Sequence, residues 1–202
     1  GVHEDRETRG GARGGTHGEA ENPAMARTVR KATVSGSWYP GSPTVLREDI
    51  ERFFAAVPDV SEDKDIIALL SPHAGYGYSG QVAAYAYRQI RGRTFAGVIV
   101  VGPSHRRRFH GASVCARGGY ETPLGVVSIE EHMAGEMLRT GSAVVDLPDA
   151  HAQEHSLEIQ IPFLQVALGT FPFVPVVMGE QSRKTCEDVA AAMVQAVGDK
   201  TA

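Results

Sequence analysis

His73 and His105 are the residues of this sequence whose type and setting best suit them for chemistry. Each lies in a short loop of similar make, Ser71-Pro72-His73-Ala74-Gly75 and Gly102-Pro103-Ser104-His105, and each loop follows an apolar run, Ile66 to Leu70 and Gly97 to Val101. Proline stiffens the approach to the imidazole, and the glycines that follow His73 let the chain turn tightly back. Neutral imidazole is the commonest protein ligand for iron, copper and zinc, and two of them on neighbouring loops begin a site that needs at least a third donor. A further polar cluster runs His151-Ala152-Gln153-Glu154-His155-Ser156-Leu157-Glu158. Glu154, His155 and Glu158 could orient a ligand imidazole or bind substrate. The same residues read equally as a capped helix start, where acidic groups meet the positive end of the dipole. Tyr76 and Tyr78 can offer phenols to the same crevice or pack as lids, and Ser104 can offer a hydroxyl there. Arg106-Arg107-Arg108, followed by His110, is either a solvated face or an attractor for an anionic substrate or partner. A hydrolase built on Ser104-His105 or Ser156-His155 is disfavoured, because no G-x-S-x-G elbow is present and adjacent residues do not normally face each other.

The elements that must carry these residues follow from periodicity. Ser42 and Pro43 open a helix with Val45, Leu46, Ile50, Phe53, Phe54 and Val57 on one face, stopped by Pro58. Ile66 to Leu70 reads as a buried strand, Ser79 to Ile90 as a helix and Gly97 to Val101 as a second buried strand, which together make a βαβ unit. Right-handed crossovers put the carboxyl ends of parallel strands on one edge, so the loops bearing His73 and His105 should share a crevice. Ala112 to Ala116 and Val126 to Ile129 flank a turn region and suggest a hairpin. Glu130 to Thr140 is a helix, with His132 on its surface. Ser156 can cap a helix through Leu157, Ile161, Leu164 and Leu168 that Pro162 kinks. Phe173 to Met178 is a strand in which Pro175 suits an edge or bulge, and a last helix runs from about Thr185 to Val197.

Composition limits the function classes. With 42% hydrophobic and 22% charged residues over 202 positions, the chain suffices for one domain with a sizeable core. A net charge of -4 supplies no basic field for phosphate backbones or anionic lipid, so neither nucleic acid nor membrane is an expected partner. No run approaches the roughly 20 apolar residues of a membrane span and no secretory signal is evident, so the expected location is cytoplasmic. Cys115 and Cys186 form no CxxC pair and read as buried thiols. Residues 1–24 are rich in glycine and charge and are expected to be a disordered extension, with residues 25–202 forming the domain.

The blocks Ala32 to Gly41 (ATVSGSWYPG), Pro72 to Gly80 (PHAGYGYSG), Gly102 to His105 (GPSH), Glu154 to Leu164 (EHSLEIQIPFL) and Val174 to Gly179 (VPVVMG) resemble the MEMO family, including the members called AmmeMemoRadiSam system protein B. The resemblance spans about Arg30 to Gly198. It implies a three-layer α/β/α fold with a mainly parallel, mixed central sheet, related to the class III extradiol dioxygenases that use non-haem iron. It makes His73 and His105 metal ligands for iron(II) or copper, with zinc as a further candidate. It sets the EHSLE block in the same cleft, with His155 behind the metal or beside the substrate; Glu154, Tyr76 and Ser104 are candidates for the same places from their position in the sequence. The family pattern continues beyond Ala202 with an Asp-x-x-His block and a cysteine ligand, neither of which is found here, so the chain is expected to hold about two-thirds of the family domain. The resemblance further implies redox or dioxygenase-type chemistry on a small oxygenated substrate and a functional link to AMMECR1-like and radical SAM proteins. No nucleotide cofactor is expected. The alternative function is a non-catalytic signalling or adaptor module that holds a metal or a peptide in the same cleft.

Overall fold

The computed structural model describes residues 28–58 and 65–198; the extension expected over residues 1–24 lies outside them. The chain enters through a short strand, β1 (Val29–Arg30), and helix α1 (Pro43–Ala55). In α1 the residues spaced by four, Leu46, Ile50 and Phe54, are fully buried. Val45 was assigned to the same face and instead lies 46% exposed, since it falls one position off that stripe. Helix α2 (Tyr76–Arg88) starts three residues before the expected Ser79. The Tyr76 N–H donates to the Trp38 carbonyl at 2.8 Å, which fixes the first turn from outside the helix.

Four strands form the main sheet: β2 (Val98–Pro103), β3 (Ala112–Val114), β6 (Val144–Val145) and β7 (Phe173–Met178), in the order β2-β7-β3-β6. β2 and β7 are parallel in register from Val98↔Phe173 to Pro103↔Met178, β7 is antiparallel to β3, and β3 is parallel to β6. A second sheet takes β1, β4 (Gly119–Thr122) and β5 (Gly125–Ser128). The protein is therefore an α/β fold with mixed sheets. Every residue of β7 is buried, as expected of a strand covered on both faces. Helices α3 (Glu131–Thr140) and α7 (Arg183–Val197) pack on each other. Helices α1, α2 and α6 (Ile161–Leu168) form a second group, with Phe163 stacked against Phe53 and Tyr87. The short helices α4 (Pro148–Ala152) and α5 (His155–Glu158) connect the two regions. Among the described residues no helix is long and apolar enough to cross a membrane.

Several expectations are corrected. Ile66 to Leu70 forms no strand, and Ile67 and Leu70 are 98% and 97% exposed. The edge of β2 away from β7 has no partner among the described residues; an apolar run has strand propensity, but pairing needs a second backbone. The expected hairpin is divided, because β3 joins the main sheet while β5 pairs with β4. Pro175 is in the middle of a central strand. It is tolerated there because it falls between the bridge of Ile129 to Phe173 and the β3 ladder, which begins at Val176. Pro162 splits the expected single helix into α5 and α6, and it occupies the first turn of α6, where its missing N–H is harmless. Cys115 is half-buried, and burial pushes its thiol up to about 12, whereas Cys186 is exposed and not the buried thiol expected.

Candidate metal centre

Glu154 organises the site. It is the N-cap of α5, and its Oε1 accepts the backbone N–H groups of His155 at 2.9 Å and Ser156 at 2.8 Å. The same oxygen meets His105 Nδ1 at 2.9 Å, and Oε2 accepts the His105 backbone N–H at 2.6 Å. The carboxylate thus caps a helix and holds the strand-end loop after β2 by both main chain and side chain. Burial works to raise its pKa, but the hydrogen bonds from His105 and Ser156 outweigh burial and hold it at about 2. An ionised carboxylate only accepts, so His105 Nδ1 must carry the proton, which leaves the Nε2 lone pair of the neutral ring free for a metal. Sequence reasoning offered Ser156 as the cap; the carboxylate of Glu154, two residues earlier, takes that role, and the Ser156 hydroxyl instead donates to the Pro103 carbonyl at 2.9 Å. Gly102 makes this approach of β2 to α5 possible, since a Cβ there would lie 2.5 Å from Ser156 Oγ.

His73 reaches the same place without the strand expected to carry it. Its loop is pinned by Gln160 Nε2, which donates to the Pro72 carbonyl at 3.2 Å, and by Tyr76, whose N–H and hydroxyl donate to the Trp38 and Ile159 carbonyls. The ring centroids of His73 and His105 are 5.2 Å apart. His155 completes a triangle, 4.4 Å from His105 and 6.2 Å from His73. Burial lowers the pKa of both His73 and His155, and the neighbouring imidazoles add to the effect, which favours the neutral ring that metals bind.

A tighter donor set can be drawn from His105, Glu154 and His155, whose nearest ligand atoms all lie within 4.8 Å. Glu154 is a poor metal ligand here, because its oxygens are engaged by four N–H donors. The imidazoles are the better donors, and this chemistry fits the borderline metals that two or three histidines select.

The remaining candidates are placed elsewhere. Tyr76 is buried in an aromatic cluster with Tyr39, Phe53 and Phe163, so it forms the floor beneath the histidine loop and does not face the crevice. Tyr78 is 93% exposed. The Ser104 hydroxyl closes a local turn with the Arg107 carbonyl at 2.6 Å. His151 is buried between Tyr120 and Ser113, away from the other histidines. Glu158 is fully buried and belongs to the scaffold: it accepts from Thr33 N, Val34 N, the Tyr39 hydroxyl and Arg30 Nη1. Sequence reasoning missed Trp38, whose ring lies 4.4 Å from that of His155 and walls the site. The available signal was its standing as the sole tryptophan in the chain, inside the Trp-Tyr-Pro-Gly turn.

The family model described as Memo-like protein matches residues 30–202. The chain belongs to the Memo-like family. It is 38% identical over 168 residues to a MEMO1 family protein of Thermoplasma volcanium and 36% identical over 177 residues to one of Methanothermobacter thermautotrophicus. A MEMO1 family protein of Nitrosopumilus maritimus is 33% identical over 172 residues. These matches take in 83%, 84% and 83% of this chain but only 62%, 64% and 62% of the respective relatives.

Proposed function

We propose that this Memo-like chain carries a non-haem metal site, for iron or copper, in a dioxygenase-like cleft whose protein ligands include His73 and His105. The observation that carries the proposal is the Glu154 carboxylate, which fixes the tautomer of His105 with its ring centroid 5.2 Å from that of His73. The reading extends to a three-layer arrangement like that of the class III extradiol dioxygenases and to chemistry on a small oxygenated substrate. A bound iron or copper ion would supply Lewis acidity and one-electron redox capacity there. The chain's own residues set the conditions: Glu154 holds the ligand ring, Trp38 and His155 wall the crevice, and the loop before α2 presents His73.

The test is calorimetric titration with iron(II), copper(II) and zinc near pH 7.5 on the wild type and on His73→Ala, His105→Ala and His132→Ala. Affinity of no better than roughly micromolar is expected for the wild type, since one ligand of a complete site is worth about two decades. The first two substitutions should abolish binding, and His132→Ala, on the exposed face of α3, should leave it intact. Unchanged affinity in both of the first two variants would overturn the assignment. Dioxygen uptake by the metal-loaded protein over a panel of catechols then separates an oxidoreductase from a binding module.

A further inference from the structure

The Nδ1 of His155 is, among the described residues, the buried side-chain nitrogen or oxygen that lacks a hydrogen-bond partner. The side chain is only 9% exposed. Leaving a buried polar atom unpaired costs about 1–3 kcal/mol, and native structures tend to avoid it. The nearest acceptor is Glu154 Oε1 at 3.6 Å, just beyond hydrogen-bonding range, and it already accepts from His105 Nδ1 and two backbone N–H groups. The two rings therefore turn the same edge toward one carboxylate oxygen and lie 33° from coplanar with centroids 4.4 Å apart. Nδ1 and Nε2 of an imidazole flank Cε1 with in-plane lobes that diverge widely, so with Nδ1 turned to Glu154 each Nε2 lobe is directed away from that carboxylate.

We infer that His155 is itself a metal ligand through Nε2, so that His73, His105 and His155 form a three-histidine set with Glu154 as the shared acceptor behind two of them. The inference rests on the metal site proposed above and adds a residue that the sequence resemblance set behind the metal or beside the substrate. With metal–nitrogen bonds of about 2.0–2.1 Å, two imidazoles on one ion have centroids roughly 4.5–5.2 Å apart for bond angles between square and tetrahedral. The separations of His105 from His73 and from His155, 5.2 Å and 4.4 Å, meet this. The third, 6.2 Å between His73 and His155, is longer by about 1 Å and calls for an inward movement of the His73 loop. A metal on Nε2 would polarise the His155 ring and strengthen the attraction of its Nδ1–H to the Glu154 carboxylate, whose Oε1 lies 3.6 Å away.

The test counts ligating imidazoles in the unmodified protein. The 202-residue chain, labelled with 15N-histidine, is titrated with zinc and followed by long-range proton–nitrogen correlation, which reports the tautomer and metallation of every ring. His155→Gln and His105→Gln identify the signals by their disappearance. The expected result is that Nε2 of His73, His105 and His155 shifts together at one equivalent while His105 and His155 keep the proton on Nδ1. If His73 and His105 shift and His155 does not, the three-histidine set is wrong and the two-histidine site stands. If none of the three responds, both readings fail. Any other pair of responding rings overturns the three-histidine set as well.

Discussion

Replacing Glu154 by glutamine tests whether one carboxylate both builds the helix entrance and prepares the ligand. The substitution keeps shape and exchanges an ionised acceptor pair for one carbonyl and one amide N–H2. If the new carbonyl takes the place of Oε1, it can still accept from His105 Nδ1, His155 N–H and Ser156 N–H, but the amide then meets the His105 backbone N–H at the 2.6 Å position of Oε2, donor against donor. The reversed rotamer is worse, since three donors would face the amide. A charge-assisted hydrogen bond is worth about 1.5–3 kcal/mol, and the remaining bonds weaken with loss of the charge, so the expected destabilisation is about 3 kcal/mol. His105 also loses the ionised partner that fixes its tautomer, and such losses cost about 10- to 100-fold in metal affinity. Urea unfolding measures the first quantity, and zinc calorimetry at pH 7.5 under native conditions measures the second. A variant that is destabilised yet binds zinc within twofold of wild type would refute the orienting role and leave Glu154 as a helix cap. A variant unchanged in both would refute the reasoning altogether.

Two further outcomes follow from the scaffold. His151 is buried with Nδ1 on Tyr120 and Nε2 on Ser113, and burial, followed by the Arg30 charge, lowers its pKa to about 4. The unfolded chain, with an ordinary value near 6.5, binds the proton first, so the stabilisation is complete above that value and fades as pH falls toward 4. Between pH 6.5 and 5 this amounts to about 2 kcal/mol. His73 and His155 shift in the same direction, so the check is the difference in urea midpoints between wild type and His151→Gln at the two pH values; parallel slopes would contradict it. Arg30→Ala should destabilise by about 3 kcal/mol, the low end for breaking a buried pair, because Glu158 keeps its bonds from Thr33, Val34 and Tyr39. A loss under about 1 kcal/mol in chemical denaturation would show the pair to be dispensable.

The main helices and the buried strands β2 and β7 were legible in the sequence because their signals are local. Leu46, Ile50 and Phe54 mark α1 by spacing alone, and the apolar runs of β2 and β7 leave little choice but a buried strand. Pairing partners were not legible. Ala112 and Val126 have similar neighbours in sequence yet lie in different sheets, and Ile66 to Leu70 carries strand propensity with no strand beside it. At the site, the loops of His73 and His105 were recognisable from their proline and glycine chemistry. The contribution of Glu154 was ambiguous, because a cap and an orienting carboxylate have the same sequence signature, and here one residue is both. Tyr76 was misplaced for a related reason: a glycine-flanked aromatic ring reads as a lid, and only the fold shows that Phe53 and Phe163 enclose it.

The contact of Trp38 with His155, whose rings are tilted at 57°, has a practical side. The chain contains one tryptophan, so all of its indole emission comes from a ring 4.4 Å from the histidine cluster. Paramagnetic ions quench an indole at that range, and a protonated imidazole in contact quenches it as well. The protein therefore carries its own optical reporter, unlabelled and already in place, through which occupancy of the proposed metal site, proton uptake by the cluster and displacement of the Trp38 wall can each be tested in real time.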